Sequence, residues 1–314
     1  MRFNKLDLNL LVALDAMLKE RSISRAAEKL HVSQPAMSSA LSRLREYFND
    51  ELLVQVGRKM EPTPRAQVLQ EAVRDVLVRV DTTIAAQPEF DPATAEREFR
   101  LFVSDYTLDV LMPHVLALAG EQAPAVRFQL LSQVDQPQRS LERGEADLLV
   151  IPKSYCSPEH PQERLFNEEF CCIVWDRSRW FGRTLSFEDY VSAGHVVMQP
   201  SGGQPAFESW FMQRYGISRR IEVTTYSFTS APRLVVGTQR IATVHMRLAQ
   251  QVQQSLPLQA LTLPVPVPPM EQSMQWHKYR TQDPGLMWLR GLLHQAVQLM
   301  DAQARQPSLE GQSG

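Results

Sequence analysis

Residues 22–45 read SISRAAEKLHVSQPAMSSALSRLR, and the fold of the whole N-terminal region turns on how that stretch is divided. Ser22 or Ser24 can cap a short helix whose buried face uses Ala26, Ala27 and Leu30, the small alanines letting another helix come close. His31, Val32 and Ser33 break the pattern. Ser33 then offers a second cap, and Pro35 is tolerated at a helix start because its missing N–H would be unpaired there anyway. A helix over about 34–47 follows, with Ala36, Met37, Ala40, Leu41 and Leu44 as its apolar positions. Upstream, Leu8, Leu11, Val12, Leu14 and Leu18 recur at helical spacing behind a capping Asp7, which predicts a helix over about 7–20. Two short helices joined by a tight turn present the second to a major groove. Its outward side chains Gln34, Ser38, Ser39, Ser42 and Arg43 suit base edges and phosphates, although a polar helix face is by itself also an ordinary solvated one.

Beyond this helix, Leu52, Leu53, Val54 and Val56 form a strand-like run that turns at Gly57, Arg58 and Lys59. A hairpin with a basic tip is expected, a wing whose Arg58 and Lys59 neutralise phosphates or enter the minor groove. The charge distribution agrees in sign. Residues 1–65 hold 11 Lys and Arg against 8 Asp and Glu, net +3, while the remainder holds 22 against 27, net −5.

From Pro64 a long helix is expected, with Leu69, Val73, Val76, Val80 and Thr83 at alternating spacings of four and three. That heptad stripe predicts a helix paired with its copy, the alternative being a single amphipathic helix packed on its own domain. After the prolines at 88 and 92, strand-like and helix-like segments alternate: strands at 99–103, 126–131, 147–151, 171–175, 196–198 and 221–225, helices at 107–119, 137–143, 205–215, 231–237 and 284–303. This predicts an α/β body with parallel pairing in two lobes, and 261–269 reads as a crossing segment. A cleft between lobes is a ligand site by default. Ser104, Asp105, Tyr106 and Thr107 at one strand end, Ser201, Gly202, Gly203 and Gln204 at another, and Phe228 with Thr229 are its candidate effector contacts. Each serine or threonine taken alone is equally a helix cap.

Enzymatic chemistry has little support. Histidines 195, 245 and 277 are scattered, and neither a nucleophile elbow nor a phosphate loop is present, so no catalytic residues are assigned. Cys156, Cys171 and Cys172 lack metal-site spacing and read as buried thiols; no metal or cofactor is expected. Without an apolar run of membrane length or a signal-peptide pattern in residues 1–9, the expected location is the cytoplasm, with no membrane partner.

The run from Ser22 to Arg45, continued by DELLVQVGRKMEPTPRA to Ala66, resembles the DNA-binding head of the LysR-type transcriptional regulators. The start MRFNKLDLNLLVALDAMLKER, PTP at 62–64, FDPATAEREFRLFVSDY at 90–106, RIEV at 220–223, GTQRIATVHMRLA at 237–249 and QWHKYRTQDPGLMWLR at 275–290 are similar to the NodD-type nodulation regulators within that family. Leu53 and Val54 stand where the family commonly has phenylalanine, and Arg65–Ala66 where it has an ending in glycine; both changes keep the local character. The resemblance implies a winged helix-turn-helix over 1–63, a dimerising linker helix over 64–89 and a periplasmic-binding-protein-like effector domain over 90–314. Its lobe I would take about 90–169 and 270–303, its lobe II about 170–269. It further implies promoter DNA contacts at Ser33, Gln34, Pro35, Ser38, Arg43 and Arg58, a homodimer or homotetramer, RNA polymerase as a partner, and activation by a small aromatic or flavonoid-like effector. A repressor sensing another metabolite is the alternative, and an α/β enzyme or solute-binding domain with an accessory DNA-binding head a further one.

Overall fold

The computed structural model describes residues 6–57, 59–84, 89–132, 136–199 and 205–305, with the side chains of 81–84, 304 and 305 outside the description. Arg58, Ser201, Gly202, Gly203 and Gln204 therefore lie outside the described residues. The chain forms two compact units that divide near residue 86.

In the first unit, helix α1 (Leu8–Glu20) starts on Asp7, whose carboxylate accepts from Leu10 N–H at 2.9 Å. Helix α2 (Ile23–Lys29) starts on Ser22, and α3 (Gln34–Phe48) on Ser33, each hydroxyl accepting from the backbone three residues on. The caps matter because a helix opens with unpaired N–H groups, and a Ser at this position is worth about 1 kcal/mol over Ala. Ala26 and Ala27 are buried against Leu14, Met17, Met37, Leu41 and Leu44 in a shared core. Ala36, expected among the apolar positions, is exposed instead, because the core-facing row of α3 is Met37, Leu41 and Leu44. Strands β1 (Leu53–Val56) and β2 (Lys59–Pro62) pair antiparallel from Leu53–Pro62 to Val56–Lys59, and Gly57 turns with φ 64°.

Helix α4 (Pro64–Ile84) departs from the expected seam. Val73 is buried and Leu69 partly so, both in the core built on α1–α3, and buried Arg74 donates to Asp15 of α1 at 2.7 Å. These positions are consumed by the head itself. The apolar side chains left open on α4 are Val68, Ala72 and Val76, with Val68 76% exposed; the side chain of Thr83 lies outside those described.

The second unit holds two five-stranded sheets. In lobe I, β3 (Glu98–Val103), α5 (Asp105–Val110), α6 (Met112–Gln122), β4 (Arg127–Ser132), α7 (Pro137–Glu142), β5 (Leu148–Pro152) and β6 (Gln162–Glu168) follow in order, and with the late strand β12 (Met270–Trp276) the sheet runs β4-β3-β5-β12-β6. Lobe II contributes β7 (Phe170–Trp175), α8 (Phe187–Ser192), β8 (Gly194–Met198), α9 (Phe207–Arg214), β9 (Arg220–Thr225), β10 (Ile241–His245), α10 (Met246–Val252) and β11 (Leu258–Leu261), in the sheet order β11-β7-β10-β8-β9. The chain then returns to lobe I as β12 (Met270–Trp276) and closes with α11 (Pro284–Arg305).

Parallel pairing was expected and is present in both sheets, but each also holds antiparallel pairs. β12 lies antiparallel between β5 and β6, and β7 pairs antiparallel with β10 and β11. Strands that cross between lobes re-enter a sheet without an intervening helix, so they are free of the geometry that makes crossover-connected neighbours parallel. The single helix expected at 107–119 is two, because Pro113 has no N–H to continue the ladder and sits in the opening turn of α6. The helix expected at 231–237 is only a 3₁₀ turn, Pro232–Leu234, followed by further turn residues up to Gly237 at φ 77°. Cys171 and Cys172 are buried and Cys156 half-buried; burial pushes the thiols of Cys156 and Cys171 up to about 12, where they are inert. No helix among the described residues is long and apolar enough to cross a membrane.

Candidate DNA interface and effector site

The exposed side of α3 carries every helix residue singled out from sequence. Ser33, Gln34, Pro35, Ser38, Ser39, Ser42 and Arg43 are all exposed, while the opposite side of the helix is buried. Ser33 has a structural duty as well, since its hydroxyl is occupied by Ala36 N–H. Arg43 reaches back to Asp7 at 3.2 Å, with both side chains about half exposed. A pair so exposed is worth little, so the guanidinium can exchange it for a phosphate or a base. The turn into α3 is made by His31 at φ 54°, a left-handed position in the four-residue link between α2 and α3. Lys59 is exposed at the head of β2.

In the second unit, residues 104–107 sit where the two lobes meet. Ser104 caps α5, its hydroxyl accepting from Thr107 N–H at 3.1 Å and lying 3.0 Å from Thr107 Oγ1. Thr107 is fully buried and accepts from Gln272 Nε2 of the crossing strand β12. Asp105 accepts from Ser227 Oγ at 2.7 Å, Thr229 N at 3.1 Å and Thr229 Oγ1 at 3.2 Å, all from lobe II. Tyr106 is buried, stacks on His245 with ring centres 3.9 Å apart, and donates its hydroxyl to Glu168. Phe228 meets the same His245 edge-on at 4.9 Å, and Phe170 lies 5.1 Å from it.

Asp105 is thus joined to Thr229, and Tyr106 to Phe228 through His245, which carried no signal beyond being one scattered histidine. Burial holds its imidazole down to about 3, so it is neutral, and its Nδ1 has no hydrogen-bond partner among the described residues. Glu168 and Arg247 were also missed. Arg247 donates to Glu168 at 2.9 Å and to Asp301 of α11 at 2.7 Å, tying the lobe crossing to the last helix. On the other side of the junction, Tyr155 of lobe I donates to Pro205 O of lobe II at 3.0 Å. The lobes therefore meet through an aromatic cluster flanked by polar bridges.

A head that displays a polar helix above a wing, followed by two mixed α/β lobes, defines a bacterial DNA-binding regulator with an effector domain. Residues 8–67 match the family model of the bacterial regulatory helix-turn-helix protein, lysR family, and residues 92–298 match that of the LysR substrate binding domain. The chain belongs to the LysR family of transcriptional regulators. It is 40% identical over 308 residues to nodulation protein D of Bradyrhizobium sp. (strain ANU 289), covering 98% of this chain and 91% of that one. To nodulation protein D 1 of Rhizobium meliloti (strain 1021) it is 41% identical over 305 residues, 97% and 99% of the two chains. Among solved structures, a transcriptional regulator from Pseudomonas aeruginosa is similar with a TM-score of 0.63 at 25% identity over 93% of this chain and 97% of that one. CbnR in complex with its target DNA superposes with a TM-score of 0.61 over 93% and 100%, and at 18% identity that likeness concerns the fold. Regulation through DNA, with an oligomeric assembly, is the activity of this family, and the resemblance to NodD-type regulators read from the sequence is upheld along nearly the whole chain.

Proposed function

We propose that this chain is a transcriptional activator that responds to a small planar aromatic effector, flavonoid-like in chemistry, held at the junction of its two lobes. The observation that carries the reading is the identity of about 40% with nodulation protein D over nearly the full length of both chains. The ring cluster of Tyr106, Phe170, Phe228 and neutral His245 supports an aromatic rather than a strongly acidic ligand, because a buried anion needs a cation to offset its desolvation. Ser104, Asp105, Thr107 and Thr229 supply polar groups around those rings, with Ser201, Gly202 and Gln204 expected to complete the site. On the DNA side, Ser33, Gln34, Pro35, Ser38, Ser39 and Arg43 meet the major groove, and Arg58 with Lys59 meets phosphates beside it. The division of labour follows the domain limits of 1–63, 64–89 and 90–314. Copies pair as a homodimer or homotetramer, and RNA polymerase is the partner through which activation is read out.

A thermal-shift titration of the full chain tests the effector class, with flavonoids, simple aromatic acids and common non-aromatic metabolites as probes. A ligand at a hundred times its Kd stabilises the folded state by about 2.7 kcal/mol, enough to raise the melting midpoint measurably. Stabilisation by a flavonoid that is lost in Phe228→Ala supports the reading. Stabilisation by a non-aromatic metabolite alone rejects it and leaves the family assignment intact.

A further inference from the structure

One side chain of the recognition helix reaches two backbone carbonyls at the start of the wing. Arg45, near the end of α3, donates from Nε to Glu51 O at 2.8 Å and from Nη2 to Leu53 O at 2.8 Å, with the Glu51 carboxylate 3.1 Å away. The two carbonyls flank Leu52, which is fully buried and held in the left-handed region at φ 60°. A branched apolar residue does not adopt that conformation unless its surroundings impose it. Asp50 secures the opposite side of the same turn: Oδ1 accepts from Leu52 N–H at 2.7 Å and from Thr63 Oγ1 at 2.6 Å, and Thr63 in turn accepts from Ala66 N–H in the first turn of α4. Arg21 at the end of α1 reaches Glu61 of β2 at 2.7 Å, an exposed contact of small weight.

We propose that Arg45 is the positioning residue of the wing: its forked guanidinium, bound to two carbonyls on either side of Leu52, sets the direction in which the β1–β2 hairpin leaves α3. It thereby determines where Lys59 meets the DNA backbone. The inference rests on the reading of the wing as a phosphate contact. Two parallel donors in one rigid plane define an angle, whereas a lysine ammonium at the same place defines only a distance. A wing that is free to swing still carries its charges, but it no longer delivers them at one register along the phosphates, and counterions are then released less completely.

The test uses the full chain on a duplex selected from random-sequence DNA by the unaltered protein, beside a scrambled duplex of equal length, over a salt series. Arg45→Gln is expected to lower the slope of log affinity against log salt by about one unit, as Lys59→Ala does, with base preferences along the selected site unchanged. Arg45→Lys is expected to fall between Arg45→Gln and the unaltered protein, and it carries the comparison if Arg45→Gln fails to fold. A slope lowered by Lys59→Ala and by Arg58→Ala but unchanged in Arg45→Gln, or in Arg45→Lys where that variant carries the test, overturns the positioning role while leaving the wing reading in place. Slopes unchanged in both Lys59→Ala and Arg58→Ala reject the wing reading and this inference with it.

Discussion

Asp105 and Ser227 lie 122 residues apart in the chain and 2.7 Å apart across the two lobes, where the Ser227 hydroxyl donates to the Asp105 carboxylate. The same carboxylate oxygen receives the amide and hydroxyl of Thr229, and Ser227 Oγ in turn accepts from Ser230 N–H. One carboxylate therefore organises a whole turn of the opposite lobe. Hydrogen bonds to a charged acceptor are among the stronger ones, and removing the acceptor leaves three donors to find other partners.

Asp105→Ala is accordingly expected to destabilise the second unit by roughly 1–3 kcal/mol in chemical denaturation, with Asp105→Asn milder. The telling readout is hydrogen exchange at the Thr229 amide, which should quicken in both variants while amides of β3 stay protected. Unaltered protection at Thr229 would mean that the turn is held by its own serines and that Asp105 is incidental to it.

A second relationship concerns the start of α11. Arg97 grips Asp283 with two hydrogen bonds of 2.6 Å, and Asp283 also accepts from Leu286 N–H in the first turn of the helix. Burial alone would raise the Asp283 carboxyl, but the bonds and charge of Arg97 outweigh it and leave it below the usual range. A Cβ on Gly285 would overlap Arg97 Nη1 and press on the Phe90 ring at 3.0 Å. Gly285→Ala should therefore cost about 1–3 kcal/mol, and less in an Arg97→Ala background, because the obstacle has already gone. Equal costs in the two backgrounds in a double-mutant cycle would show that Arg97 is not what the methyl displaces.

Two buried histidines set a pH dependence. Burial holds His195 down to about 4, with the Tyr190 carbonyl at 2.6 Å acting in the opposite direction, and holds His245 down to about 3. An unfolded histidine titrates near 6.5. Below that pH the unfolded chain takes up protons that the folded chain refuses, so stability is complete above about 6.5 and declines as pH falls toward 4. The slope approaches about 1.4 kcal/mol per pH unit for each histidine. His245→Phe keeps a ring against Tyr106 and removes one titrating group, so denaturation between pH 7 and 5 should show a shallower decline than in the unaltered protein. An unchanged slope would mean that His245 is charged, or reached by water, in the folded state.

Much of the head could be read from the sequence because its signals are local. Asp7, Ser22 and Ser33 each cap the helix they precede, and the polar face of α3 follows from a period of 3.6 residues. The stripe on α4 is divided, because periodicity identifies apolar positions without saying what covers each: Leu69 and Val73 turn toward their own head, while Val76 stays exposed. Sequence gave still less warning of the lobe junction. Glu168 and His245 meet Tyr106, and Arg247 meets Glu168 and Asp301, across separations of up to 139 residues along the chain, and no local pattern encodes such a meeting. Strands β6, β10, β11 and β12 went unread for a related reason: β10 and β12 are buried along nearly their whole length, β11 has only four residues and β6 leads into the crossing between lobes, so they lack the alternation that marks a half-exposed strand.

The account stands or falls on the exposed face of α3 reading bases. The most direct measurement is selection of binding sites from random-sequence duplex DNA by the full chain and by Gln34→Ala. The unaltered protein should enrich a motif of two related half-sites with approximate two-fold symmetry, as paired copies of one chain require. Gln34→Ala should keep the overall motif but lose preference at one matching position in each half, a discrimination of about 1–3 kcal/mol at that base pair. A motif unchanged by Gln34→Ala, with affinity reduced equally on selected and scrambled DNA, would place Gln34 on the phosphates, and failure of the unaltered chain to enrich any motif would contradict sequence-specific recognition by α3 altogether.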